Sequence, residues 1–142
     1  MNTSGEHRRN PVFWIAFGTM LAIFVYSGAW LVLDVLMKLG MTPQAPVVDT
    51  GAMQDTLSIW NDIAFYTAIA LTLPSLVLAW RGSNLVLITY AFAILAAVVD
   101  WVLLINTVPE TASQLGFFVF SGQLFVYVYL VAFALRRNPA LR

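Results

Sequence analysis

Three aspartates stand inside or at the border of apolar stretches, and each has a tryptophan within four residues: Asp34 with Trp30, Asp62 with Trp60, and Asp100 with Trp101. A carboxylate flanked by aromatic rings can hold a cation by charge and by cation–π attraction. A carboxyl withdrawn from water can also take up and release a proton. Tyr26, Trp30, Asp34 and Lys38 recur at intervals of four and therefore lie on one helix face. On that face Lys38 can pair with Asp34, for ~0.2–0.5 kcal/mol at an exposed position. Asn61 adjoins Asp62, and Gln123 and Tyr127 are one turn apart further along. Together these residues suit an outward-facing pocket with Asp100 at its floor, Asp62 and Asp34 on its rim, and Trp30, Trp60, Trp101, Tyr26 and Tyr127 as walls. Asn61, Asn106, Gln114 and Gln123 add polar groups. The plainer reading is interfacial trim: aspartates at helix ends near water, tryptophans in an aromatic belt, and some hydrogen bonding between helices.

What must position these groups is a set of four apolar runs, Val12–Leu33, Ile63–Trp80, Leu85–Ile105 and Leu115–Leu135, each 18 to 22 residues long. At ~1.5 Å per residue, about 20 residues cross a hydrocarbon core ~30 Å thick. The runs predict an all-α integral membrane four-helix bundle forming one domain over residues 1–142. Its spans are expected at about 11–37, 57–80, 84–107 and 113–136, with an outer loop over 40–56. Asp100 is the sixteenth residue of its run, about 23 Å from the start at ~1.5 Å per residue and still inside the core. An ionised carboxylate there costs about 2.5–3.5 kcal/mol on insertion scales. Asp100 is therefore expected to face the bundle interior, take a partner or hold a proton, and an intramembrane acid is by default a candidate for function.

Composition agrees with a membrane setting. Apolar residues make up 61% of the chain and charged residues 10%, against about 45–50% and about 25% in soluble domains. A soluble chain of this size could not hide so much apolar surface. Seven basic and seven acidic residues cancel, so no electrostatic footprint for nucleic acid is present. There is no cysteine, which excludes disulfides and thiolate metal sites. The single histidine, His7, precedes the first run, so no imidazole is available to ligate haem within the membrane. No cofactor and no metal site is expected. The 22-residue first run is too long for the ~7–15-residue core of a secretory signal, and no small-x-small cleavage pattern follows it. It is expected to remain as the first span.

Orientation follows from charge. Arg8, Arg9, Arg81, Arg136, Arg137 and Arg142, six of the seven basic residues, fall on one side of a four-span arrangement, and only Lys38 falls on the other. The positive-inside rule then places both termini in the cytoplasm, in a plasma membrane (the inner membrane of a bacterial source). Asn10 before Pro11, Asn84 after Arg81-Gly82-Ser83, and Thr111 with Gln114 are the expected helix caps. Pro43 and Pro46 keep the long connection from continuing the first helix. Pro74 is expected to break or kink the second helix and free the Ala70 carbonyl, with Thr72 or Ser75 nearby to satisfy the loosened groups.

Spanning helices associate through small residues that let backbones approach. The expected inward stripes are Gly18, Ala22, Val25 and Ala29; Ala64, Ala68, Thr72, Ser75 and Ala79; Thr89, Ala93, Ala96, Ala97 and Asp100; and Gly116, Gln123, Tyr127 and Ala134. Phe118, Phe125 and Phe133 are expected to face lipid.

Catalytic signatures are missing: there is no HExxH, no GxSxG, no phosphate-cradling glycine loop and no pair of histidines. Four-span multidrug exporters carry an acid inside their first helix, and Val12–Leu33 has none. The sterol-isomerase-like four-helix fold shares only the idea of carboxylates in an aromatic-lined cavity. The leading expectation is thus a non-catalytic bundle that binds a lipid-like, amphipathic or cationic ligand, or serves as a subunit of a homo-oligomer or larger membrane complex. A proton- or cation-coupled transporter using Asp100 is the alternative, followed by a membrane enzyme pairing Asp100 with Asp62 on a hydrophobic substrate.

Overall fold

The computed structural model describes residues 11–41, 57–107 and 114–137. They form four helices, α1 (Pro11–Lys38), α2 (Ile59–Arg81), α3 (Leu85–Thr107) and α4 (Gln114–Arg137), with no strand among the described residues. Each helix is long and apolar enough to cross a membrane. Their most apolar stretches bury only 11% to 28% of their residues within the bundle. Phe117 and Phe118 stay 68% and 69% exposed. Water would penalise such a surface heavily, whereas lipid tails are as apolar as the side chains. The chain is an all-helical, multi-pass bundle surrounded by lipid.

Helices adjacent in the chain are adjacent in space, α1 against α2, α2 against α3 and α3 against α4, and α1 meets α4 to close the ring. The bundle therefore has two chemically distinct ends. Asp34, Lys38, Asp62 and Asp100 gather at the carboxylate end, where α1 and α3 finish and α2 and α4 begin. Arg81 and Arg136 lie at the opposite, arginine end. The expected caps Asn10 and Thr111, and the connection carrying Pro43, Pro46, Asp49 and Asp55, lie outside the described residues.

The tightest pair is α2 with α3, for two reasons. The first is the turn. Gly82 adopts a left-handed φ of 67°, donating to Ala79 O at 3.0 Å, and Ser83 N–H returns to Leu78 O at 2.9 Å. That geometry closes a helix in very few residues. Ser83 Oγ then accepts from Leu85 N–H at 3.3 Å. The side-chain acceptor at the start of α3 is thus Ser83, one residue before the expected Asn84. The second reason is the small-residue stripe: Ala64, Ala68, Thr72, Ser75 and Ala79 are all buried. At its centre the Ser75 and Thr89 hydroxyls meet at 2.9 Å across the two helices.

Two packing expectations need correction. Pro74 does not break α2, which continues as one helix from Ile59 to Arg81. Thr72 and Ser75 donate to Ala68 O at 2.7 Å and Leu71 O at 2.6 Å, not to the Ala70 carbonyl. The stripe on α1 also faces the wrong way: Gly18, Ala22, Val25 and Ala29 are exposed, and the buried edge is Phe13, Ala16, Met20 and Ile23. The small residue at the α1–α4 contact comes from α4. A Cβ on Gly122 would stand 3.3 Å from Thr19 Cγ2 and 3.4 Å from Ile23 Cδ1. One small partner per contact is enough for close approach, so α1 contributes the larger side chains. Met20 accordingly joins Ala79, Ala93, Val126 and Leu130 around the fully buried Tyr90. Phe133, expected to face lipid, is partly covered and stacks on Tyr129.

Candidate functional site

The carboxylate end is organised around Lys38. Its ammonium has three protons, and three acceptors surround it: Asp34 Oδ2 at 3.0 Å, Asp62 Oδ2 at 2.8 Å and Tyr66 Oη at 2.8 Å. The Tyr66 hydroxyl in turn donates to Asp34 Oδ2 in a very short contact. Helix periodicity explains the arrangement. Asp34 and Lys38 are one turn apart on α1, Asp62 and Tyr66 one turn apart on α2, and the two ladders meet face to face. The local pairing of Asp34 with Lys38 thus extends to a four-residue network joining two helices. Tyr66 was not among the sequence candidates, although its spacing of four from Asp62 repeats the Asp34–Lys38 spacing and was a usable signal.

Asn61, next in the chain to Asp62, serves the other side of α2. It is 2% exposed. Its Oδ1 accepts from the Ser58 backbone N–H at 3.2 Å and from Ser58 Oγ at 2.9 Å. This reverse capping uses the shorter asparagine where a capping box normally has a glutamate or glutamine. The occupied Oδ1 fixes the amide orientation, and Nδ2 then points at Asp100 O across the α2–α3 interface, a long contact of 3.5 Å. That contact is made to the backbone of Asp100, which is itself half-buried. Among the described residues no cation pairs with Asp100; both ion pairs belong to Lys38.

The aromatic candidates divide. Trp101 is wedged between α3 and α4: it meets Phe120 edge-on at 5.1 Å, and a Cβ on Gly116 would lie 2.2 Å from its ring. Gly116 therefore provides the notch into which Trp101 fits. Tyr26 and Trp30 form an edge-to-face pair at 6.3 Å on α1, with Tyr26 exposed. Trp60 is 65% exposed and points away from the bundle. Gln123 is buried within α4, its Oε1 has no hydrogen-bond partner among the described residues, and Tyr127 packs against the central core. The structure thus brings Asp34 and Asp62 together, and separately Asn61 with Asp100. It does not draw Trp60 or Tyr26 toward either group.

Among the described residues no cluster of three or more acidic, histidine or cysteine side chains is arranged to hold a metal. Asp62 pairs with Lys38 of α1, whereas the contact of Asp100 with α2 runs through its backbone carbonyl. Two shallow apolar clefts occur at the arginine end, one including Gly82, Asn84 and Phe133, the other Phe17, Met20 and Val126. The chain matches no known family, no curated protein and no solved structure.

Proposed function

We propose that this protein is a small non-catalytic membrane protein whose carboxylate end binds a cationic or amphipathic ligand, with Asp100 as the anchoring charge. The observation that carries this reading is the unequal treatment of the three acids. Asp34 and Asp62 share the Lys38 ammonium, whereas Asp100 sits half-buried in a spanning helix, its backbone carbonyl near the Asn61 amide and its carboxyl paired with no cation among the described residues. A group held there gains from a positively charged ligand, because attraction strengthens where water is scarce. Trp101 and Gln123 from the neighbouring surface of α3 and α4 supply aromatic and amide contacts. The arginine bias supports a plasma-membrane orientation with both termini cytoplasmic and the carboxylate end outward.

The test is binding of a lipophilic cation, tetraphenylphosphonium, to the protein in lipid nanodiscs. Asp100→Asn is expected to weaken it at least tenfold while the helical circular dichroism stays the same. Equal affinity for the two proteins would remove Asp100 from the site and end the proposal. Proton-driven uptake of the same cation into liposomes, abolished by Asp100→Asn, would assign transport in place of simple binding.

A second reading, membership in a larger membrane assembly, is favoured by Gly18, Ala22 and Ala29, small residues exposed on one face of α1, with nothing among the described residues within 4 Å of a Cβ at Gly18. Mass measurement of the protein released directly from membranes at native lipid content tests it. A lone monomer speaks against assembly.

A further inference from the structure

We infer that Lys38 is a latch that closes the last turn of α1 onto the first turn of α2, and that the state of this latch governs access to Asp100. The first ground is the geometry of closure. All three ammonium protons are used, two of them on α2 residues, Asp62 and Tyr66. No other charged contact joins α1 to α2 among the described residues. At the opposite end the same two helices meet through rings, with Trp80 lying 5.9 Å from Trp14 and 5.6 Å from Phe17. Contacts between rings tolerate a change of angle, whereas a three-point ammonium cluster does not. The aromatic end can therefore serve as the pivot, and the ionic end parts only when its cluster is broken.

The second ground is the sequence adjacency of Asn61 and Asp62. One backbone step links the residue that receives Lys38 to the residue whose amide approaches the Asp100 backbone carbonyl. Among the described residues Ser58 holds the start of α2: its carbonyl accepts from Asn61 N–H at 2.9 Å and Asp62 N–H at 3.5 Å, and its own N–H and Oγ donate to Asn61 Oδ1. When the latch opens, Asp34 and Asp62 lose the shared cation and repel each other, which drives the ends of α1 and α2 apart and frees Asn61 from Asp100. The link to Asp100 rests on the ligand reading above; the closure of α1 on α2 does not.

The chain contains no cysteine, so paired cysteines introduced for spin labels are unique. Val35 and Ile63 are exposed on α1 and α2 near the latch, and Val12 and Val77 are exposed on the same helices near the arginine end. Pulsed electron resonance in nanodiscs is expected to show a longer and broader 35–63 distance in Lys38→Met than in wild type. Lys38→Arg should keep the wild-type distance, and the 12–77 distance should be the same in all three. An unchanged 35–63 distance in Lys38→Met overturns the latch. Equal changes at both ends also overturn it, because α1 would then be lost as a whole. Tetraphenylphosphonium binding separates the two ideas. If the distance responds to Lys38 but binding ignores Asp100→Asn, the ligand reading fails and the latch stands. If Asp100→Asn abolishes binding but Lys38→Met alters neither distance nor affinity, the latch fails and the ligand reading stands.

Discussion

Asn61 and Asp62 are consecutive residues that look to different helices: Asp62 Oδ2 receives Lys38 Nζ of α1 at 2.8 Å, and Asn61 Nδ2 approaches the Asp100 carbonyl of α3 at 3.5 Å. Successive residues of a helix diverge by about 100°, so one turn can serve two interfaces. Here that turn is the start of α2, and it connects the only lysine of the chain with the deepest acid.

Tyr66→Phe should reveal how far the network stabilises the bundle. The substitution keeps the ring and removes the hydroxyl that both accepts from Lys38 and donates to Asp34. A loss of about 1–2 kcal/mol is expected, since a partly buried charged acceptor loses its donor. Unfolding in mixed micelles with rising dodecyl sulfate measures it, and a change below the error of that assay would show the hydroxyl to be dispensable.

Gly116→Ala and Gly18→Ala should have opposite outcomes although both are single methyl additions. At Gly116 the new Cβ would lie 2.2 Å from the Trp101 ring, and the indole must leave its notch. Overpacking of this kind costs about 1–3 kcal/mol. At Gly18 nothing lies within 4 Å of the added carbon, and alanine in a helix interior gains about 0.5–1 kcal/mol over glycine. Comparing the two melting curves, with Trp101 fluorescence as a local probe, checks both signs.

Tyr90→Phe should not weaken the protein. Tyr90 is 0% exposed, and its hydroxyl has no hydrogen-bond partner among the described residues. An unpartnered buried hydroxyl is unfavourable by about 1–3 kcal/mol in protein mutational data, so its removal is expected to raise stability by about 1 kcal/mol. A loss of similar size would show that the hydroxyl has a partner.

Thr89→Val probes the hydroxyl contact between α2 and α3. Thr89 Oγ1 and Ser75 Oγ are 2.9 Å apart in the best-packed interface. Interhelical hydrogen bonds in membranes contribute about 0.6 kcal/mol on average and at most about 1.7. A double-mutant cycle with Ser75→Ala is expected to give a coupling in that range, and a coupling of zero would reduce the contact to proximity.

Length and hydropathy were enough to read the four helices and their lipid surroundings, because backbone groups in hydrocarbon must be satisfied within each spanning segment. The α2 stripe from Ala64 to Ala79 was legible for a related reason: five small residues at helical spacing on one span have few uses other than close packing. Asp34 and Lys38 were legible as a pair because their contact is local, one turn along one helix. The α1 stripe misled because lipid and protein interior are equally apolar, so the inward side of a helix carries no polarity signal. Gly122 on the neighbouring helix had already supplied the small partner, leaving Gly18, Ala22 and Ala29 outside.

What the amino-acid order determined by itself was therefore everything that depends on a single helix: its existence, its length, the gathering of Asp34, Asp62 and Asp100 toward one end, and the separation of Lys38 from the arginines. Tertiary structure alone decided that Lys38 would be shared by Asp34, Asp62 and Tyr66, that Asn61 would turn to Asp100, and that Trp101 would settle on Gly116. Those contacts depend on the rotation of each helix about its own axis. Nothing local fixes that angle in a hydrocarbon solvent; only the mutual fit of side chains from neighbouring helices does.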